Sequence, residues 1–186
     1  DFPFMLCWAN ENWSRNWDGK FRNILIEQHY SEEDDIEHMR YLCSKVFQDT
    51  RYIRIDGKPV FAIYRSNFFP NMKHTIDVWR KVAKEEYGIE LYLIRVENEP
   101  DFGPKYLDCG FDSAMDFQPL LMGEFNAWWK NLPFRIMNHL FKGKYQWFNK
   151  HFSYASYVKY RIKKPLADYK CFPCVSPGWD NSPRRK

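Results

Sequence analysis

The sequence has no apolar run long enough to cross a membrane, and its first residues do not resemble a signal peptide. A transmembrane helix needs about 18 or more uninterrupted apolar residues, and residues 1–4 have no basic region followed by an apolar one. The five cysteines among 186 residues are mostly isolated and odd in number, which disfavours a disulfide scaffold and favours a reducing compartment. These absences predict a cytoplasmic protein without a transmembrane segment.

Motifs for nucleotides, metals and nucleic acids are also missing. No Gly-x-Gly-x-x-Gly or phosphate-loop pattern occurs, which argues against a nucleotide-binding Rossmann domain. The segment Cys171-Phe172-Pro173-Cys174 has redox or zinc spacing, but no second ligand pair accompanies it. No zinc-finger or RNP pattern indicates nucleic acid binding. We therefore predict no cofactor, no metal and no nucleic acid partner.

Aromatic residues, in contrast, make up 19% of a chain in which 28% of residues are charged. So many rings in so polar a chain predict that some of them stack on a ligand such as a sugar. The formal net charge is +4, and much of the excess falls in residues 142–164, where basic and aromatic residues alternate. This pattern favours an outer helical layer whose basic stems cover its rings. Binding to nucleic acid, an anionic glycan or a membrane surface is the alternative.

Strands and helices are predicted to alternate along the chain. A continuous apolar run at residues 4–9 predicts a strand buried on both faces. Ser31, followed three residues later by an aspartate, predicts the start of a helix over 32–47. A second helix is predicted over 75–87 and ended by Gly88. Further strands are predicted at residues 52–55, 59–64, 91–96, 111–117 and 169–175.

This alternation predicts an α/β fold of parallel βα units, either a doubly wound sheet or a (β/α)8 barrel. Several candidate strands run into polar or aromatic clusters, and a barrel gathers its active site at the carboxyl ends of its strands. A complete barrel takes about 250 residues, more than the 186 present. We therefore predict that residues 1–186 form one incomplete domain, a partial (β/α)8 TIM-type barrel, with an aromatic and basic helical insertion at about 120–165.

The densest group of chemistry-bearing residues lies at positions 8–19. Its tryptophans, amides and carboxylates supply the ring faces and paired polar groups that a pyranose needs. Glu11 and Glu97 are weak candidates for the paired carboxylates of a glycosidase; the alternative is that they form structural salt bridges. The predicted carbohydrate-binding residues are Trp8, Asn10, Glu11, Trp13, Trp17, Asp18, Glu97, Asp116, Gln118, Trp179 and Asp180.

Several longer motifs point to a family. They are Cys7-Trp8-Ala9-Asn10-Glu11-Asn12-Trp13, Trp17-Asp18-Gly19, Ile24-Leu25-Ile26-Glu27-Gln28, Tyr30-Ser31-Glu32-Glu33-Asp34-Asp35, Arg51-Tyr52-Ile53-Arg54-Ile55-Asp56-Gly57-Lys58-Pro59-Val60 and Pro177-Gly178-Trp179-Asp180-Asn181. Together they closely resemble the WbsX family, also called glycoside hydrolase family 99-like. The resemblance implies a (β/α)8 barrel from bacterial gene clusters for surface polysaccharide, O-antigen or capsule. Such proteins are often labelled glycosyltransferases although the fold is hydrolase-like.

The resemblance also implies that the catalytic carboxylates lie in a late, Trp-rich motif with two glutamates. Residues 1–186 do not contain that motif, so Glu11 and Glu97 are expected to bind sugar or to support the site. Three functions stay open. The protein is a glycoside hydrolase-like enzyme acting on a surface polysaccharide, a glycosyltransferase or assembly factor in lipopolysaccharide O-antigen synthesis, or a non-catalytic carbohydrate-binding remnant.

Overall fold

The computed structural model describes residues 2–15, 20–97, 103–118, 136, 140 and 154–175. The chain divides into two compact units. The first unit consists of Asp1–Trp13, Ile24–Phe117 and Ala167–Cys174. The second unit consists of Ser14–Asn23, Gln118–Leu166 and Val175–Lys186.

Short strands and helices alternate along the described residues, as the sequence predicts. In chain order they are β1 (Leu6–Trp8), β2 (Trp13–Arg15), β3 (Lys20–Ile26), α1 (Glu32–Tyr41), a π-helical segment (Leu42–Val46), β4 (Arg54–Ile55), β5 (Lys58–Ile63), a 3-10 turn (Ser66–Phe68), α2 (Met72–Tyr87), β6 (Tyr92–Val96), α3 (Tyr106–Cys109), β7 (Ser113–Asp116), α4 (Tyr154–Lys163) and β8 (Cys171–Pro173).

The main sheet has the strand order β1-β5-β6-β7-β8, and every neighbouring pair in this order is parallel. Trp8 lies opposite Ile63, Ile63 opposite Arg95, and Asp116 opposite Pro173. β4 adds to β5 in antiparallel orientation, and β2 and β3 form a separate two-stranded sheet. A parallel sheet with intervening helices confirms the predicted α/β class. It also places the carboxyl ends of the main strands at one edge.

The start of α1 follows from its cap. Ser31 accepts a hydrogen bond of 3.2 Å from the backbone N–H of Asp34, and the acidic first turn complements the helix dipole. The helix continues as a π-helical segment to Val46, so the prediction of a helix over 32–47 is confirmed.

The second predicted helix is also present, but α2 starts at Met72 rather than at residue 75. The cause is Asn71, whose side chain accepts a hydrogen bond of 3.1 Å from the backbone N–H of His74 and so caps the helix. At the other end, Gly88 has a left-handed conformation with φ of 67°, which glycine adopts at low cost.

The hairpin of β4 and β5 confirms the turn predicted between residues 55 and 59. Asp56 and Gly57 both have positive φ, at 52° and 77°. A two-residue hairpin turn of the primed type requires positive φ at its first residue or at both, and Asp-Gly pairs are favoured there.

Apolar side chains cover both faces of the main sheet in the first unit. On the face toward α1 and α2, Phe61, Ile63 and Leu93 pack against Trp79 and Ile76. The opposite face has its own cluster, formed by Val60, Ala62, Tyr92, Ile94 and Val96. Burial on both faces explains why β5 and β6 read as continuous apolar runs instead of alternating ones. Leu6 and Cys7 of β1 are exposed, because β1 lies at an end of the strand order, so the prediction that residues 4–9 are buried on both faces is wrong.

In the second unit, α4 lies within the aromatic and basic stretch of the sequence. Tyr157 is buried, while Lys159 and Lys163 are exposed, the arrangement expected of an amphipathic helix. Residues 119–135, 137–139 and 141–153 of the predicted insertion lie outside the described residues. Among the helices that the structure describes, none combines the length and apolar content needed to span a membrane.

A buried tyrosine provides a test of how β1 is attached to β5. The Tyr52 hydroxyl donates a hydrogen bond of 2.7 Å to the Val60 carbonyl and accepts one of 3.2 Å from the Leu6 N–H. Tyr52→Phe should lower the free energy of unfolding by about 1–3 kcal/mol, because both backbone groups lose a buried partner. Urea denaturation measures the change, and Tyr41→Phe, at an exposed hydroxyl, is the control. Equal stability of the two variants would contradict this account.

Candidate functional site

The carboxyl ends of β1 and β5 lie side by side and carry the most promising polar residues. The Tyr64 N–H donates a hydrogen bond of 3.0 Å to the Trp8 carbonyl, extending the parallel pairing beyond the strands. The chain then continues to Asn10 and Glu11 after β1 and to Arg65 after β5. This edge is where parallel α/β folds bind ligands.

Asn10 joins the two strand ends. It is fully buried, and its Nδ2 donates to the Arg65 carbonyl at 2.8 Å and to the Tyr30 hydroxyl at 3.1 Å. Its Oδ1 accepts from the Arg65 N–H at 2.8 Å. The Tyr30 hydroxyl in turn donates to the Asn10 carbonyl at 2.8 Å. Since its amide is occupied by protein groups, Asn10 holds the site together instead of facing a ligand.

Glu11 and Arg65 form an ion pair at the surface of this edge. Arg65 Nε donates a hydrogen bond of 2.8 Å to Glu11 Oε1. The Arg65 side chain is 22% exposed and the Glu11 side chain is 39% exposed. The Arg65 guanidinium also lies over the rings of Tyr64 and Phe68, at 4.9 and 5.7 Å from their centroids. Ring contacts and one ion pair therefore set the orientation of the guanidinium.

Sequence reasoning missed Arg65. Its signal is weak, because an arginine after a strand is common and its partner lies 54 positions earlier in the chain. The pair also influences its neighbours. Burial raises the pKa of Tyr64, and the Glu11 carboxylate adds to that effect while Arg65 opposes it.

Trp8 points toward the helices of the first unit. Its ring meets His38 edge-on at 4.4 Å and Phe69 edge-on at 5.6 Å, and it lies 6.5 Å from the Tyr30 ring. Trp8 therefore serves mainly in packing against these rings. It lines a cavity of about 380 Å³ together with His29, Tyr30, Asp34, Asp35, Glu37 and His38.

Trp13 begins β2 and carries an exposed ring. It is 59% exposed, and the segment before it is held by Asn12, whose Oδ1 accepts a hydrogen bond of 2.7 Å from the Gln28 N–H. An exposed ring close to the polar strand ends is the arrangement that stacking on a sugar requires.

Glu97, at the end of β6, belongs to a separate, buried polar cluster. Only 4% of it is exposed. Its Oε1 accepts hydrogen bonds from the Tyr169 hydroxyl at 2.6 Å, from Arg95 Nη2 at 3.2 Å and from the Gly103 N–H at 3.2 Å. Its Oε2 accepts a longer contact of 3.8 Å from the Cys171 thiol. The carboxylate is thus satisfied by groups of the protein itself.

The remaining predicted residues at strand ends occupy different surroundings. Asp116 is half-buried at the end of β7. Burial raises the pKa of Cys171 to about 12, and the negative charges of Glu97 and Asp116 contribute to the increase. Gln118 belongs to the second unit, where it is buried and its Oε1 accepts a hydrogen bond of 2.6 Å from the Tyr157 hydroxyl.

The structure brings Asn10 and Glu11 together around Arg65 and gives Glu97 other partners. The predicted residues Trp17, Asp18, Trp179 and Asp180 lie outside the described residues. Within the part of the chain that is described, no group of three or more His, Cys, Asp or Glu side chains could hold a metal ion.

Comparisons with known proteins identify a family that matches the chain. The family model described as Glycosyltransferase WbsX matches residues 1–186. Two proteins named Uncharacterized protein WxcX, from Xanthomonas campestris pv. campestris strains B100 and ATCC 33913, are 32% and 31% identical over 183 residues. The match covers 98% of this chain and 25% of each relative, so the chain spans about a quarter of their length. No solved structure matches significantly.

The buried cluster of Glu97 yields a stability prediction. Glu97→Gln leaves the Arg95 guanidinium buried without a counter-charge, and we expect the free energy of unfolding to fall by about 3 kcal/mol or more. Glu90→Gln is the control, because Glu90 is an exposed carboxylate paired with Lys58 and Lys84, and it should be nearly neutral. Urea denaturation measures both. An unchanged Glu97→Gln midpoint would show that the ion pair is not needed for stability.

The packing of His38 against Trp8 predicts a dependence on pH. Burial lowers the pKa of His38 below its ordinary value of 6.5, with the Asp34 carboxylate opposing the shift. The unfolded state therefore binds more protons, so stability should be highest above about pH 6.5 and fall as the pH drops below it. His38→Phe keeps the ring and should reduce the loss of stability between about pH 7.5 and about pH 5.5. Urea midpoints at both pH values test this, with exposed His29→Gln as the control; equal losses in all three proteins would refute it.

Proposed function

The chain belongs to the WbsX family, and from that membership we propose that it forms part of a glycoside hydrolase-like protein that acts on a bacterial surface polysaccharide. The observation that carries the proposal is the Glu11–Arg65 pair at the carboxyl edge of the parallel sheet. Paired carboxylate and guanidinium groups beside aromatic rings are the side chains that bind sugar hydroxyls and ring faces.

The strand order supports a (β/α)8 barrel as the parent fold. Each parallel strand of the main sheet lies beside the previous one in the order β1-β5-β6-β7-β8, without the reversal that marks a doubly wound sheet. The cluster on the face away from α1 and α2 is built from strands and residues beside them: Val60, Ala62, Tyr92, Ile94 and Val96, with Met5, Ile55, Tyr64, Met115, Phe117 and Phe172. Contacts among side chains of several strands on one face of a sheet are typical of a sheet that curves toward a barrel.

Within the proposed sugar cleft, Glu11 and Trp13 have the exposure needed to contact the ligand. Beside them, Trp8 packs against His38 and Asn10 fixes the Arg65 backbone. Glu97 stabilises the end of β6 through its hydrogen bonds with Arg95 and Gly103. We propose that Trp17, Asp18, Asp116, Gln118, Trp179 and Asp180 also contribute to carbohydrate binding.

Binding measurements on the full-length protein test this function. Trp13→Ala and Glu11→Gln should each weaken binding to the surface polysaccharide of the bacterium that encodes the chain by about 10-fold, the loss of one good contact. Tyr41→Ala, at an exposed ring outside the site, is the control. Titration calorimetry gives the affinities. Binding and turnover of Glu11→Gln at the wild-type level would remove Glu11 from the site.

A glycosyltransferase or assembly role in O-antigen synthesis is the second candidate, favoured by the description of the matching family. The two activities give different products from the full-length protein. A hydrolase releases reducing ends from polysaccharide, whereas a transferase consumes a nucleotide-sugar donor. Binding without either activity would indicate a non-catalytic carbohydrate-binding role.

The cysteines bear on location. All five are free thiols, with Cys43 buried and its pKa raised to about 11 by burial. Free thiols persist most readily in a reducing compartment, which supports the proposal that the protein works in the cytoplasm.

A further inference from the structure

Arg65 differs from two other ion-paired arginines in how it uses its guanidinium. Arg40 binds Glu86 through both Nε and Nη2, at 2.8 and 2.7 Å. Arg51 binds Asp49 in the same way, at 3.0 and 2.7 Å. In these pairs the two donors on one side of the fork are satisfied by one carboxylate.

In the Arg65–Glu11 pair only one donor and one acceptor are engaged. Arg65 Nε donates to Glu11 Oε1, and neither Nη of Arg65 nor Oε2 of Glu11 makes a hydrogen bond to another described residue. The Arg65 side chain is 22% exposed, so it is partly accessible from solvent. The pair therefore presents N–H donors and a carboxylate oxygen that have no partner among the described residues.

The pair is also held in a fixed position. Asn10 fastens the Arg65 backbone from both sides, at its N–H and at its carbonyl. The rings of Tyr64 and Phe68 restrict the guanidinium. Because the protein's own contacts set this geometry, little side-chain entropy would be lost on binding.

Adjacent donors and an acceptor match the chemistry of a vicinal diol. One hydroxyl oxygen accepts from a guanidinium N–H, and the neighbouring hydroxyl donates to the carboxylate oxygen. The charges of Glu11 and Arg65 already cancel each other. The carboxylate of an acidic sugar would therefore meet no net positive charge at this pair. A neutral sugar meets no such cost.

We propose that Arg65 is a sugar-binding residue and that the Glu11–Arg65 pair recognises two vicinal hydroxyl groups of a neutral pyranose. The inference rests on the proposed function, since it names the kind of sugar residue that the cleft binds. It adds Arg65 to the site and assigns Glu11 a hydrogen-bonding role instead of an acid or base role.

The test uses the full-length protein and the surface polysaccharide of the bacterium that encodes it, in three forms. One is native, the second has its carboxyl groups reduced to alcohols, and the third is oxidised with periodate and reduced with borohydride, which cleaves vicinal diols. Titration calorimetry compares wild type with Arg65→Gln, Arg65→Lys and the control Arg51→Gln. Arg51 also lies over a ring, that of Phe4 at 5.5 Å, but its fork is occupied.

We expect wild type and Arg51→Gln to bind the native and carboxyl-reduced forms equally and the periodate-treated form at least about 10-fold more weakly. Arg65→Gln should bind the native form about 10- to 100-fold more weakly, because charge-assisted hydrogen bonds are lost. It should also discriminate less between native and periodate-treated forms. Arg65→Lys, which keeps the charge and loses the fork, should fall between.

Thermal unfolding of each variant shows whether the fold is retained, and the Asn10 contacts favour retention because they use only the backbone of residue 65. If wild type binds none of the three forms, the proposed function fails. If wild type binds but both Arg65 variants bind as well as Arg51→Gln, the proposed function stands and this inference fails. An Arg65-dependent loss of binding on carboxyl reduction would also overturn it, in favour of an acidic sugar.

Discussion

Parallel pairing of the main strands is the constraint on which the other features of the first unit depend. It directs the carboxyl ends of β1, β5, β6 and β7 to one edge, so the polar residues that follow these strands become neighbours although they are far apart in the chain. It also requires both faces of the sheet to be covered, and both faces carry apolar clusters. The rigid sheet therefore supplies a fixed base for an edge that carries polar groups.

Asn10 fixes the orientation of the residues that follow β1 and β5. Strand pairing alone brings the residues after β1 and β5 close, but it does not set their orientation. The buried amide of Asn10 holds the Arg65 backbone on both sides and so decides where the guanidinium can reach. A buried amide is stable only when its hydrogen bonds are made, which ties the burial of Asn10 to the correct placement of Arg65.

Glu11 and Glu97 show how two similar residues at one edge acquire different properties. Glu11 keeps one oxygen without a partner among the described residues and is accessible to a ligand. Glu97 is buried and receives donors from Arg95, Gly103 and Tyr169. The first has the properties of a binding group, whereas the second has those of a structural one. Both follow strands and both are glutamates, so their sequence context does not distinguish them.

Local features of the molecule follow from the amino-acid sequence alone. Ser31, Gly88 and the Asp56-Gly57 turn act within a few residues, which is why the helix starting at Ser31, the helix end at Gly88 and the hairpin are predictable. The continuous apolar strands likewise predicted the parallel α/β class. The sequence motifs also indicated the family.

Which side chains become partners depends on how the whole chain folds. The contacts between Glu11 and Arg65 and between Glu97 and Tyr169 span 54 and 72 residues. Such pairings follow from strand order and register, which depend on the packing of the whole sheet and not on neighbouring residues. For that reason the sequence indicated the edge where the site lies, while the exposure of Glu11, the burial of Glu97 and the role of Arg65 required the folded chain.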